Sequence, residues 1–253
     1  MGKRYQGAWQ KALVLFDARV RLGDCHQPGQ QHMVEDSFDE RPIPFFRRRE
    51  PVLKRAFFRS DPVTCARALV GCRLQWGTRS GRIVETEAYD SEGDEASHTF
   101  FRPSARAFVD AHREGAAYVY FNYGMHWMLN VLVKGGPRTG FVLIRALEPL
   151  TGIDEMKQAR AKSDLHALCS GPGKLAQALG VTGADHGRDL CTDPKFSFHA
   201  DSAKISVVAS PRVGITRAVE FPWRFFADAN RHVSGHPKGW KHEAAKVRRK
   251  SDV

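Results

Sequence analysis

Two carboxylates stand two residues apart in the run Gly81-Arg82-Ile83-Val84-Glu85-Thr86-Glu87-Ala88-Tyr89. Side chains of an extended strand alternate between faces. Ile83, Glu85, Glu87 and Tyr89 then share one face, and Val84, Thr86 and Ala88 take the other. An acid two positions from an aromatic ring, on a rigid element, suits a protein that holds a flat ligand and does acid–base chemistry beside it. An edge strand with solvated glutamates fits the same nine residues.

A second informative segment is Tyr118-Val119-Tyr120-Phe121-Asn122-Tyr123-Gly124-Met125-His126-Trp127-Met128-Leu129-Asn130. Alternation puts Tyr118 and Tyr120 on one face, and Tyr123 falls in the turn. A tyrosine at a hairpin tip cannot bury its ring in its own core, so a partner that covers it is one reading. A nucleic-acid duplex, into which an aromatic wedges between base steps, is such a partner. Folding of Tyr123 back onto a neighbouring loop is the other. Arg145, flanked by apolar residues in VLIRALEP, needs a carboxylate or phosphate partner.

The elements that carry these residues follow from turn and cap signals. Asp61 is a good N-cap with Pro62 at the first helical position, and the helix stops at Gly71. Strands are predicted over 72–76, 81–89, 117–122, 126–133 and 141–147, the last closed by Pro149. A helix follows over 152–162, and Ser170 caps a second, containing 174–179. Late strands are predicted over 204–209, 213–216 and 223–226. Hairpins interleaved with helices indicate an α+β fold with a largely antiparallel sheet. Residues 1–52 read as a weakly ordered or accessory N-terminal extension, with a short helix around 9–20. Residues 53–228 read as the compact domain and 229–253 as a basic tail.

The chain of 253 residues carries 39 basic and 28 acidic side chains, a net charge of +11 that favours polyanionic partners. No apolar run is long enough to cross a bilayer and the first ten residues lack a signal-peptide core. We therefore expect a cytoplasmic protein, nucleoid-associated if bacterial, with no membrane partner. Five cysteines without a CxxC pair argue against a disulfide framework and a cysteine zinc site. The histidines lack metal-ligand spacing, so no metal is expected. Ser170-Gly171-Pro172-Gly173-Lys174 is an incomplete phosphate loop and reads as a helix start, whose N-terminus can still hold a DNA phosphate.

The blocks GRIVETEAY, EASHTF, AYVYFNYGMHWMLNV, VLIRALEPL and CSGPGKLAQALG occur in that order. Together they resemble the alkyladenine (3-methyladenine) DNA glycosylase family, from about residue 53 to 216. The resemblance implies a single mixed domain with a curved sheet, surrounding helices and a protruding β-hairpin that enters the DNA minor groove. It implies a monomeric, monofunctional hydrolase without a cofactor. Its substrate would be double-stranded DNA bearing damaged purines such as 3-methyladenine, hypoxanthine or ethenoadenine, flipped out for excision. Glu87 matches the catalytic glutamate that activates water, and Arg145 the arginine that helps hold that water. Tyr89, His98 and Tyr120 match the base-stacking pocket, and Asn130 the asparagine that opposes guanine's amino group. The carbonyl of Val213 matches a further support for the water. Tyr123 matches the residue that fills the gap left by the flipped base, with Met125 beside it at the tip. Arg106 and Lys174 are candidates for the DNA backbone, and Glu85 is left as a structural acid paired to a basic residue. Family members carry Thr-Pro-Arg-Asn after the pocket histidine, where this chain has Phe100-Phe101-Arg102-Pro103-Ser104-Ala105-Arg106-Ala107. A non-catalytic binder of damaged or single-stranded nucleic acid, and an enzyme acting on free nucleosides or RNA, are the rival readings. The first gains nothing from a carboxylate aimed at a polyanion, and a small substrate needs no hairpin-tip tyrosine.

Overall fold

Asp61 caps the first helix, α1 (Pro62–Leu69), by accepting a hydrogen bond from the Thr64 N–H at 2.8 Å, and Pro62 opens it where no donor is needed. Its inner face buries Cys65, Ala66 and Leu69. Burial of a leucine of this kind stabilises by about 1.5–3 kcal/mol. This computed structural model describes residues 51–201 and 205–235, which belong to one compact unit. The predicted helix around 9–20, and the chain from 236 onward, lie outside the described residues.

Five further helices are α2 (His98–Phe101), α3 (Pro103–Ala111), α4 (Ile153–Arg160), α5 (Leu165–Leu168) and α6 (Pro172–Leu179). The strands are β1 (Arg73–Trp76), β2 (Arg79–Asp90), β3 (Ala117–Asn122), β4 (His126–Val133), β5 (Gly140–Thr151), β6 (Phe196–His199), β7 (Val207–Ser210) and β8 (Arg224–Ala227). They form one curved antiparallel sheet in the order β3-β4-β5-β2-β1-β6, with β8 pairing β2 and β7 pairing β8. The fold is α+β, as predicted.

β2 is the hub. Along one edge it pairs with β5, and its other edge is shared, β1 taking residues 79–82 and β8 residues 85–87. Register shifts flank this fork. Ile83 and Glu85 face Leu147 and Ala146, while Glu85 and Thr86 face Ala146 and Ile144. Val84 and Arg145 are thus the extra residues of two opposed bulges, a device that re-aims side chains. Ile83 and Val84 both join the apolar core, so the predicted alternation from Ile83 breaks here. It resumes beyond: Thr86 donates to the Ala66 carbonyl of α1 at 2.8 Å, and Glu85, Glu87 and Tyr89 turn to the opposite side.

Several local readings are corrected. β5 runs through Pro149 to Thr151. Leu147 N–H donates to Cys169 on the edge away from β2, and Pro149, two residues on, turns its nitrogen the same way, so no ladder bond is lost. Gly171, with φ 151°, is the N-cap of α6; Ser170 is not. Residues 213–216 form a loop rather than a strand, and α3, begun at Pro103, was not anticipated. The packed fold also passes residue 228. Val233 lies in the core, and Ser234 and Gly235 bond to buried side chains.

Candidate active site

Glu87 is fully buried on β2 and accepts three hydrogen bonds. Its Oε2 takes the Tyr89 hydroxyl at 2.8 Å and Arg145 Nη1 at 3.2 Å, and its Oε1 takes the Val213 backbone N–H at 2.7 Å. An ionised carboxylate offers about four acceptor positions. Three donors leave one, on Oε1. Val213, expected to act through its carbonyl, meets Glu87 through its N–H.

Arg145 reaches this point because its bulge turns the side chain onto the acidic face. Its Nε lies 2.9 Å from Glu85, its Nη1 bonds Glu87, and its Nη2 donates to Ser234 Oγ at 3.2 Å. Burial opposes the arginine's charge, but the Glu87 and Glu85 carboxylates outweigh it and raise its pKa above the ordinary value. Glu85 is structural and doubly paired: it also accepts Arg224 Nε at 2.6 Å, and Ser234 through its N–H at 2.7 Å and its hydroxyl at 2.9 Å. Ser234 and Arg224 left no mark in the sequence, being 149 and 139 residues from Glu85.

A cavity of about 490 Å³ adjoins this cluster. Three of the groups that hold Glu87 (Tyr89, Arg145 and Val213) line it. So do His98, Tyr120, Asn130 and Tyr123. Tyr89 lies beneath a fully buried ion pair, because the Arg212 guanidinium sits over its ring at 4.7 Å and grips Asp94 in two hydrogen bonds of 2.6 and 2.7 Å. Burial, then the Glu87 carboxylate, raises the Tyr89 pKa well above the ordinary tyrosine range, so the phenol keeps its proton and donates. Burial and the neighbouring Tyr118 push Tyr120 up to about 12.

The opposite wall is aromatic. His98 lies 4.3 Å from the Tyr120 ring centroid, and its Nδ1 is 3.1 Å from the Tyr118 hydroxyl. Burial first, and the charge of Arg102 second, lower the His98 pKa to about 4, which leaves the imidazole neutral at neutral pH. Asn130 donates to the Tyr118 carbonyl at 3.1 Å. Phe101, Arg102 and Tyr118 also line the cavity, and none was singled out from the sequence as a site residue. For Tyr118 the signal was present, since it shares a strand face with Tyr120.

The β3–β4 hairpin carries Tyr123 at its tip, 81% exposed, with Met125 exposed beside it. Met125 N–H bonds to the Asn122 carbonyl at 3.1 Å across a turn in which Tyr123 (φ 49°) and Gly124 (φ 64°) are both left-handed. Asn122 and Tyr123 also line the cavity, so the tip and the pocket adjoin. Met125, Arg106 and Lys174 are not among the lining residues. Arg106 bonds the Thr99 and Phe100 carbonyls at 2.7 and 3.3 Å, and Lys174 sits 3.4 Å from Ser170 in the first turn of α6. Among the described residues no cluster of three metal-ligating side chains occurs, and no helix is long and apolar enough to cross a membrane.

Residues 56–231 match the methylpurine-DNA glycosylase family. The chain belongs to that family. It is a DNA glycosylase, a hydrolase of base excision repair directed at alkylated bases in DNA. A relative from Rhodopseudomonas palustris, provisionally named a 3-methyladenine DNA glycosylase, is 44% identical over 184 residues, 73% of this chain and 88% of its own. Another from Rhizobium etli, bearing the same provisional name, is 47% identical over 180 residues, 71% of this chain and 87% of its own. In this glycosylase the matched span holds Glu87, Arg145 and every lining residue of the cavity.

Proposed function

We propose that this protein excises 3-methyladenine, hypoxanthine and ethenoadenine from double-stranded DNA, acting as a cytoplasmic monomer that flips the damaged nucleotide into the cavity. The observation that carries the reading is Glu87, a buried carboxylate held by three lining residues of an aromatic cavity, with one acceptor position open. Tyr89, His98 and Tyr120 receive the purine between their rings, while Tyr123 at the adjoining tip fills the space it leaves in the duplex. Asn130 opposes guanine's amino group by clash.

Glu87 accepts a proton from water through Oε1 as the water oxygen bonds to the sugar carbon. The glycosidic bond breaks and its electron pair leaves with the base. The carboxylate also stabilises the cationic character that grows on the sugar. Arg145 keeps Glu87 oriented. An alkylated purine is already cationic and leaves neutral, without further protonation. A neutral lesion needs a proton from another source, so the cationic lesions leave faster once bound. Arg106 and Lys174 meet the phosphate backbone.

The test is incubation of duplexes holding a single lesion with the protein and with Glu87→Gln, followed by alkaline strand cleavage and a binding measurement. Excision by the wild type, with a loss of about a hundredfold to ten-thousandfold in the variant and affinity retained, is expected. Full activity in the variant removes Glu87 from the mechanism. Binding without excision by the wild type favours the non-catalytic reading.

A further inference from the structure

We propose that Arg102 sets the charge preference of the cavity, disfavouring purines that carry a positive charge and favouring neutral ones. The proposal rests on reading the cavity as the base pocket.

Among the described residues only two charged side chains line the cavity, Arg102 and Arg145. Their electrostatic situations differ. Arg145 belongs to a balanced set of two guanidiniums and two carboxylates, bonding Glu85 and Glu87 while Arg224 bonds Glu85 at 2.6 Å. That set presents little net charge to a ligand. The Arg102 guanidinium makes no hydrogen bond or ion pair to another described residue. It lies over the rings of Phe101 and Tyr120, at 5.6 and 5.8 Å from their centroids, and both rings belong to the cavity wall. His98, neutral at neutral pH, adds no charge of its own. The cavity therefore carries one uncompensated positive charge, fixed at the junction of α2 and α3 where Arg102 closes one helix and opens the next. A cation held in the cavity beside Tyr120 shares that wall with the guanidinium and is repelled in a partly desolvated space. A neutral purine escapes that repulsion, and a carbonyl oxygen on its edge gains a donor. Arg102 thus works against the leaving-group advantage of cationic lesions and widens the range of bases removed.

The experiment is single-turnover excision of a cationic N-methylated adenine and of hypoxanthine from the same duplex, by the wild type and by Arg102→Ala, Arg102→Gln and Arg102→Lys. The half-saturating protein concentration and the maximal rate are read separately. Loss of the charge should raise the cationic-to-neutral ratio of excision efficiency by about tenfold, chiefly through half-saturation, with Arg102→Lys near the wild type. Thermal unfolding of each variant confirms that the fold is kept. An unchanged ratio overturns the proposal. Equal slowing of both lesions also overturns it and assigns Arg102 to a DNA phosphate instead. If the wild type excises neither base, the base-pocket reading itself fails, a result distinct from both.

Discussion

Glu85 and Glu87 lie two residues apart on one strand, both without exposed surface, and they do different work. Glu85 takes four donors from Arg145, Arg224 and Ser234. Three of those donors meet Oε1 and one meets Oε2, and only one of its partners lines the cavity. Glu87 takes three donors, and every one of its partners does. Burial therefore does not separate the scaffold acid from the acid suited to chemistry. What separates them is that all of Glu87's partners, and only one of Glu85's, face a ligand-sized space.

Exchanging the two acids for neutral isosteres should break the symmetry in opposite directions. Glu87→Gln should lose most excision and cost less stability than Glu85→Gln, because it takes one of two carboxylates from Arg145 and none from Arg224. Glu85→Gln leaves Arg145 and Arg224 short of a buried counter-charge, and loss of one partner from such a cluster costs about 3–5 kcal/mol. Urea unfolding would read this directly, and an unshifted midpoint would show that Glu85 is dispensable. A milder cut is Ser234→Ala, which removes one hydroxyl from Glu85 and from Arg145. About 1 kcal/mol of stability should go, and the maximal excision rate should fall more than the apparent affinity for DNA. Ser234→Thr should restore both, whereas a change in affinity alone would detach Ser234 from Arg145. The smallest effect belongs to the far wall. The pKa of His98 falls from 6.5 to about 4 on folding, so the unfolded chain takes up the proton first as pH drops. Its contribution to stability is whole above about pH 6.5 and is lost as pH falls toward 4. His98→Gln should flatten urea-derived stability across that window, and an identical slope would assign the acid limb to other groups.

Much of this was legible in the chain because local rules act over short spans. Asp61-Pro62 announced α1, and the tyrosine-rich hairpin announced its own strands and tip. The paired acids were visible and the family resemblance divided their roles, but the geometry behind that division was not, since it depends on bulges at Val84 and Arg145 that no alternation pattern encodes. The Arg212–Asp94 pair beneath Tyr89 spans 118 residues, and nothing in either segment names its partner. Arg102 was visible only as a departure from a family pattern. Its importance comes from what surrounds it in space.

Ser234 stands one residue before the end of the described fold, yet it holds the arginine that orients Glu87. A protease cut just ahead of it would spare all eight strands and still strip two donors from Glu85. Such a clipped molecule would keep its circular-dichroism spectrum while its turnover declined. During synthesis, Arg145 would settle only after nearly the whole domain had left the ribosome.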